Sequence, residues 1–554
     1  MTSQESQPQA HSRSSILNSQ APKGHPILNS QFWQRDHGQL LIIVLFLLLL
    51  PFSLRRIYAT DEVQYFAYVR SVYFDHDLDF RNEYEHFATI GEQQRPPDPA
   101  VRNALLHSDA QNPNPVTGKL RNVAPIGSAI MWAPGFVLAD IGVRAANALG
   151  AQIAADGYSP PYIAAVCLMS AFYALGGLLL SYRMARRYVG TFAATVATIA
   201  IWLATPLVMY TFILMPWSHA TGFFLFTLFL TIWLGPNDDR RPTNDERQAA
   251  GVVGRSSRGY ARWALLGLIG GLMTMTREQL GLLLIIPAAE ALSAYITLTR
   301  ARRWPEMRRL LLGHVLFAAI FALSLAPQLA AYQILNGRPL PSGTVSGKLI
   351  WCSPHFIDTL IDYDPQPSAW CYFDDQVAAK LQPFAHGAFL WSPILLPALL
   401  GLVLLGRYPG VRSPENTARR YPQAAPLLAA LLLLGFLAQT YINGAFGTSW
   451  HLSRSFGFRR LIECTPIFVL GLAALLQWLR ARIGRWPLLL VASLLIYWNI
   501  GLIAQWTFVR PQLRDGLIWD GMLRYQVVEV PRQAFDKFDD LIFHSCRLAN
   551  NKTC

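Results

Sequence analysis

The sequence predicts an all-α polytopic membrane protein, and three features carry that expectation. The chain has 554 residues, 52% of them hydrophobic and 15% charged, with a mean hydropathy of +0.26, outside the usual range for a soluble domain. Apolar runs long enough to cross a bilayer recur along it. Short Arg clusters separate those runs, and they all fall on one face of the membrane if the first run leads outward. The formal charge of +13 is therefore read as membrane topology. No continuous basic face of the kind that binds nucleic acid is visible.

Residues 1–38 are rich in Ser, Gln, Asn and Pro without an apolar run, and are expected to be a disordered cytoplasmic tail. The first apolar run, 40–54, lies too far from the start for a signal peptide and lacks a small-residue cleavage site, so it is expected to stay as an anchor. Further runs follow at 160–181, 191–210, 220–234, 263–275, 280–298, 310–335, 387–406, 424–441, 461–479 and 486–508. They make about eleven transmembrane helices within a membrane domain of 39–508. Segment 125–149 is also apolar, but a span there would place Arg183, Arg186 and Arg187 outside and invert every later loop. It is expected to lie in the interface, kinked near Trp132, Pro134 and Gly135, or to re-enter.

This scheme leaves outer segments at 58–158, 336–386 and 443–460, and an outer C-terminal tail at 509–554. The inner loops carry no glycine-rich phosphate loop, which disfavours an ATP-driven pump. The 6 cysteines show no C-x-x-C spacing, so neither a zinc site nor a redox motif is indicated. Cys352 with Cys371, and Cys546 with Cys554, fall in outer segments where an oxidising compartment permits pairing.

Asp61 and Glu62 stand just beyond the first span, where a carboxylate can take the proton of an acceptor hydroxyl. The structural alternative has Thr60 or Asp61 capping a helix over 63–74, with Glu62 in its first turn. Asp75, Asp77 and Asp79 have a spacing that can hold a divalent metal such as Mg or Mn, though a solvated turn is the commoner meaning, and the same holds for Asp374 and Asp375. Arg277 faces outward at a break between two apolar runs. Its cost of burial calls for an anionic partner, either a lipid phosphate or a protein carboxylate such as Glu278. His451, Arg454, Arg459 and Arg460 precede another apolar run and suit a phosphate leaving group, or anionic headgroups. His219, in a turn after Trp217, is expected on the same side.

Five stretches in order carry a resemblance to a known family. They are Thr60-Asp61-Glu62 with Tyr65 and the run from Asp75 to Asp79; Asn122-Val123-Ala124-Pro125-Ile126-Gly127 leading to Trp132-Ala133-Pro134; Trp217-Ser218-His219-Ala220; Arg277-Glu278-Gln279; and Ser455-Phe456-Gly457-Phe458-Arg459-Arg460. From about Tyr58 to about Leu479 the chain resembles the bacterial membrane glycosyltransferases of the GT-C superfamily, relatives of protein O-mannosyltransferases and of the lipid A aminoarabinose transferase. The resemblance implies an inverting transfer of a sugar from a polyprenyl-phosphate donor to a lipid, glycan or protein acceptor on the periplasmic face of the inner membrane. It implies Asp61 as base with Glu62 beside it, and Arg277, Arg459, Arg460, Arg454, His451, His219 and Tyr65 toward the lipid phosphate and sugar. Two stretches depart from the family pattern: no Pro follows Arg277, and Trp450-His451-Leu452-Ser453-Arg454 stands where a Trp- and Gly-rich run is expected. The rival readings are a lipid-linked glycan flippase or transporter, marked by ionisable groups at mid-membrane and internal repeats, and a glycan polymerase or ligase that relies on Arg and His.

Overall fold

A computed structural model describes residues 36–57, 59–93, 113–235, 259–343, 347, 349–352, 355–361, 386–407, 424–446, 452 and 454–543. Among them there are helices and connecting loops and no strand. Seven helices are long and apolar enough to cross a membrane: Gly127–Ala148, Pro160–Arg186, Glu278–Arg300, Trp304–Asn336, Ala425–Gly444, Arg459–Ile483 and Trp486–Val509. The shorter apolar helices His37–Phe52, Thr191–Leu203, Ser218–Leu234 and Leu395–Arg407 join them. Such a set marks an integral membrane protein.

Several expected runs are interrupted where proline removes a backbone donor. The run at 191–210 divides into Thr191–Leu203 and Leu207–Phe212 around Thr205 and Pro206, with the Thr205 hydroxyl donating to Ile201 O at 2.7 Å. The run at 387–406 divides into Ala388–Trp391 and Leu395–Arg407 at Ser392-Pro393.

Arg459–Ile483 is the most deeply buried of these helices and forms the axis of the bundle, whereas Trp304–Asn336 is largely exposed and lies at its edge. The axial helix packs on Leu395–Arg407, Thr191–Leu203 and Pro160–Arg186. Its contact with Leu395–Arg407 has no room for side chains: a Cβ on Gly471 would lie 2.0 Å from Ala398 O, and one on Gly401 would lie 1.8 Å from Gly471 O. Small residues let helix backbones meet in this way inside a bilayer. Gly471→Val is therefore expected to lower the thermal unfolding midpoint of the detergent-solubilised protein by several degrees, through overpacking worth about 1–3 kcal/mol or more. An unchanged midpoint would mean that the two helices are not in this register.

The bundle has two chemically distinct ends. At one, Asp36 accepts from Tyr182 at 2.6 Å and lies 3.8 Å from Arg186, Arg183 donates to Gln39 at 3.1 Å, and Arg187 donates to Gly235 O at 2.8 Å. At the other, the segment after the first helix builds an aromatic core from Phe66, Tyr68, Phe80, Tyr84, Phe87, Trp132 and Phe136, joined by Tyr162 of Pro160–Arg186. The Gly127–Ala148 helix closes that core: the Tyr173 hydroxyl donates to Met131 O, Gly135 abuts Met169, and Asp140 accepts from Tyr162 at 2.6 Å and Tyr73 at 2.9 Å. The chain past residue 509 folds back on the bundle, with Gln526 donating to Tyr497 O and Trp498 O, each at 3.0 Å.

Candidate functional site

The end that carries the aromatic core also gathers most of the residues expected to be functional. Thr60–Arg70 is helical and continues as a wider turn over Ser71–Asp75, so the helix starts three residues before the expected 63–74. Its N-cap is Ala59, not Thr60 or Asp61. The capping comes from Glu62, whose Oε2 accepts the Ala59 N–H at 2.8 Å while its Oε1 accepts the Trp217 indole N–H at 2.6 Å. Glu62 is thus buried and held at both oxygens. Asp61, next along the first turn, keeps 47% of its side-chain surface exposed and faces Arg459 at 3.3 Å.

Arg459 also stacks on Trp217, its guanidinium carbon 4.0 Å from the ring centroid. Trp217 therefore joins two elements, with its edge on Glu62 and its face on Arg459. Arg459 and Arg460 open the tight turn Arg459–Cys464 that leads into the axial helix, and Arg460 lies 4.7 Å over the Phe446 ring. Arg277, in extended conformation between Tyr260–Thr276 and Glu278–Leu284, is pinned to the same axis. Its Nη1 is 3.2 Å from Glu463 Oε1 and 3.1 Å from His219 Nε2, and His219 Nδ1 is 3.0 Å from the same Glu463 oxygen. The protein partner of Arg277 is thus Glu463, in place of Glu278, which accepts from the Tyr332 hydroxyl instead. Tyr65 lies beside Ser218 with Arg277, Asp61 and Arg459 around it, and burial raises its phenol, which stays protonated as a donor.

Arg454 is not joined to this cluster by a hydrogen bond or ion pair among the described residues; its backbone N–H donates to Arg514 O at 2.6 Å. His451, Asp374, Asp375, Cys371, Cys546 and Cys554 lie outside the described residues. Cys352 is disulfide-bonded, and Cys167 and Cys464 are free and buried.

The acidic run is engaged locally. Asp75 bonds Arg70 and accepts from Asn82 at 2.7 Å, Asp77 accepts from the Ser71 hydroxyl at 2.9 Å, and Asp79 pairs with Lys119 at 3.1 Å. Among the described residues, no three His, Cys, Asp or Glu side chains are grouped to share a metal ion. Arg70 also donates to Glu83 at 2.9 Å, and Glu83 is fully buried. Burial pushes the Glu83 carboxyl up to about 7, against the opposing pull of Arg70. The folded chain then holds this proton more tightly than the unfolded one, so stability falls as pH rises from about 4.5 to about 7. Thermal unfolding across that window is expected to show a midpoint that drops with rising pH. Glu83→Gln is expected to flatten the dependence, and a slope unchanged in that variant would assign it to other groups.

Two residues escaped the sequence reading. Glu463 stands alone among apolar neighbours in Leu461-Ile462-Glu463-Cys464, and an ionisable residue within a span is itself a functional signal. Asn443 links the halves of the site without such a signal: it accepts from Gln279 at 3.1 Å and donates to Arg460 O at 3.3 Å. Compared with models of protein families, with curated proteins and with solved structures, the chain matches none.

Proposed function

We propose that this protein is a GT-C-like membrane glycosyltransferase that moves a sugar from a polyprenyl-phosphate donor to a lipid, glycan or protein acceptor. The observation that carries the reading is the pairing of a half-exposed carboxylate, Asp61, with Arg459, next to Arg277 and Arg460 at one end of the bundle. In the proposed reaction Asp61 takes the proton of an acceptor hydroxyl as that oxygen attacks the anomeric carbon from the face opposite the phosphate. The bond from that carbon to the phosphate oxygen breaks, the electron pair leaves with polyprenyl phosphate, and the configuration inverts. Arg459, with Arg277 and Arg460, stabilises the charge that develops on the leaving phosphate. Phosphate competes with Asp61 for Arg459, so donor binding frees the base. The scheme needs no Mg or Mn.

Within this reading the site end faces the periplasm of a bacterial inner membrane and the Arg-rich end faces the cytoplasm, with about eleven spans. Support for an interfacial Gly127–Ala148 helix comes from its contacts. It begins against Met275 and Thr276 at the outer end of one helix and passes Tyr162 near the outer end of another. The disulfide at Cys352 supports an outer placement of its loop.

Purified protein in liposomes, given radiolabelled polyprenyl-phosphate sugars, is expected to transfer or hydrolyse at least one of them. Binding of labelled lipid without turnover of any donor would favour the flippase or the glycan ligase.

A further inference from the structure

The helix Trp486–Val509 shows a lipid-type face along only part of its length. Leu490, Val491, Leu494, Tyr497 and Ile500 stand between 42% and 62% exposed, but beyond Ile500 the apolar side chains are covered: Leu502, Ile503 and Trp506 are buried, and Phe508 and Val509 half-buried. The chain that follows takes the exposed face over. Trp519, Leu523, Val527, Val528 and Phe535 stand between 53% and 74% exposed. Leu523, Val527 and Phe535 recur at multiples of four residues along one helical run made of Met522–Arg524, Tyr525–Glu529 and Val530–Phe543. On the next side of that run Met522, Gln526 and Val530 are buried against the bundle, while Arg532 and Asp536, exposed, mark its polar side.

Gln526 fixes the level at which this run is held. Its Oε1 accepts from Gln505 Nε2 at 2.7 Å, its Nε2 donates to Tyr497 O and Trp498 O, and its backbone O accepts the Tyr497 hydroxyl at 2.7 Å. Gly501 makes the room, since a Cβ there would fall 2.0 Å from that Nε2. Trp519 stacks on Trp498 with ring centroids 6.3 Å apart. Tyr497 lies about 18 Å back from Val509 along a helix that rises roughly 1.5 Å per residue. The chain thus returns to the level of Tyr497 and Ile500, where the span itself still turns an apolar face outward. A buried amide beside lipid needs its hydrogen bonds met within the protein, and Gln526 has them. The run stands at the site end of the bundle: Arg514 O accepts the N–H of Arg454, in the loop that leads to Arg459, and the Arg514 guanidinium lies 4.8 Å from the Trp506 ring centroid.

We propose that the C-terminal run is a lipid-binding surface, an amphipathic helix seated in the interface of the leaflet at the site end, with Trp519, Leu523, Val527 and Phe535 against phospholipid acyl chains. Sequence alone led us to expect an outer tail here; the fold instead brings it back to the membrane. Continuity identifies the occupant as lipid. The exposed stripe carries on the face that Trp486–Val509 turns to the bilayer, so the protein keeps one unbroken apolar boundary where the span alone would lose it. Arg524, paired with Glu529 at 3.3 Å, and Arg532 stand beside the stripe, with stems long enough to carry their guanidinium groups to headgroup phosphates. Asp520 and Asp536, also exposed, then face water. This seat is independent of what the charged site does.

Nitroxide labels on Leu523→Cys, Val527→Cys, Phe535→Cys and Asp536→Cys test the seat, each in the full-length chain carrying Cys546→Ser and Cys554→Ser, with that background protein as the label blank. The protein is placed in nanodiscs of phosphatidylethanolamine and phosphatidylglycerol. Oxygen concentrates among acyl chains and a nickel chelate stays in water, so the ratio of their collision rates with the label reports which medium a side chain meets. All four side chains are exposed, so the labels are expected to leave the unfolding midpoint at the background value, and a position that lowers it is set aside for the others. The oxygen-to-nickel ratio is expected to be several-fold higher at Leu523, Val527 and Phe535 than at Asp536. A ratio at the three apolar positions as low as that at Asp536 would place the helix in water and overturn the proposal. Low collision rates with both reagents would also overturn it, by showing that protein covers the stripe. Spectral broadening that fades on dilution with unlabelled protein would then identify the cover as a second copy of this chain.

Discussion

Asp61→Asn is expected to cut sugar transfer by about 10²–10⁴-fold, the usual contribution of a positioned general base, at unchanged expression and unfolding midpoint. The geometry separates this carboxylate from its neighbour. Glu62 is consumed by the Ala59 N–H and the Trp217 indole, so Glu62→Gln perturbs the start of the helix and the seat of Arg459 together. Asp61 bonds only Arg459 among the described residues and is half-exposed, so its amide keeps the fold and loses the base. Transfer assays of the two variants against wild type, normalised to the folded fraction, check the distinction. Near-normal turnover by Asp61→Asn would remove Asp61 from the chemistry and move the glycan ligase ahead, since that reaction relies on the Arg and His residues.

The largest loss of stability is expected from Glu463→Ala. That carboxylate is 1% exposed and meets both Arg277 and His219, so its removal leaves a guanidinium buried without its carboxylate. Breaking a buried pair by deleting one partner costs about 3–5 kcal/mol. The loss is measured as the unfolding midpoint in detergent. Arg277→Met on top of Glu463→Ala is expected to recover part of it, because the stranded charge is then gone. A double variant no more stable than the single one would show that Glu463 acts through His219 or through packing.

How much of this was legible in the sequence depended on what kind of interaction places each residue. Helix character and membrane residence follow from local apolarity, and the runs 160–181, 461–479 and 486–508 match observed helices to within a few residues at one end or the other. Breaks at Pro206 and Pro393 were missed because an apolar average passes over a single missing N–H. Arg277, Arg459 and His219 were legible because polar groups beside apolar runs are costly and so conspicuous. Their partners were not. The pairing of Arg277 with Glu463 joins positions 186 residues apart, and nothing in either local stretch encodes the other. Nor did the local sequence show that Glu62 is held by Trp217, 155 residues further along, in a second hydrogen bond that leaves Asp61 the more exposed of the two carboxylates.

The Trp304–Asn336 helix exposes most of its surface yet is seated tightly on one neighbour. It carries Gln328 and Tyr332 to the edge of the site and is held against Tyr260–Thr276, where a Cβ on Gly267 would lie 2.6 Å from Phe317 O. The opposite wall is the axial helix, locked glycine to backbone against its neighbour. Both walls are thus held by seams in which glycine admits the neighbouring helix backbone, so neither helix can shift without opening a void along its seam.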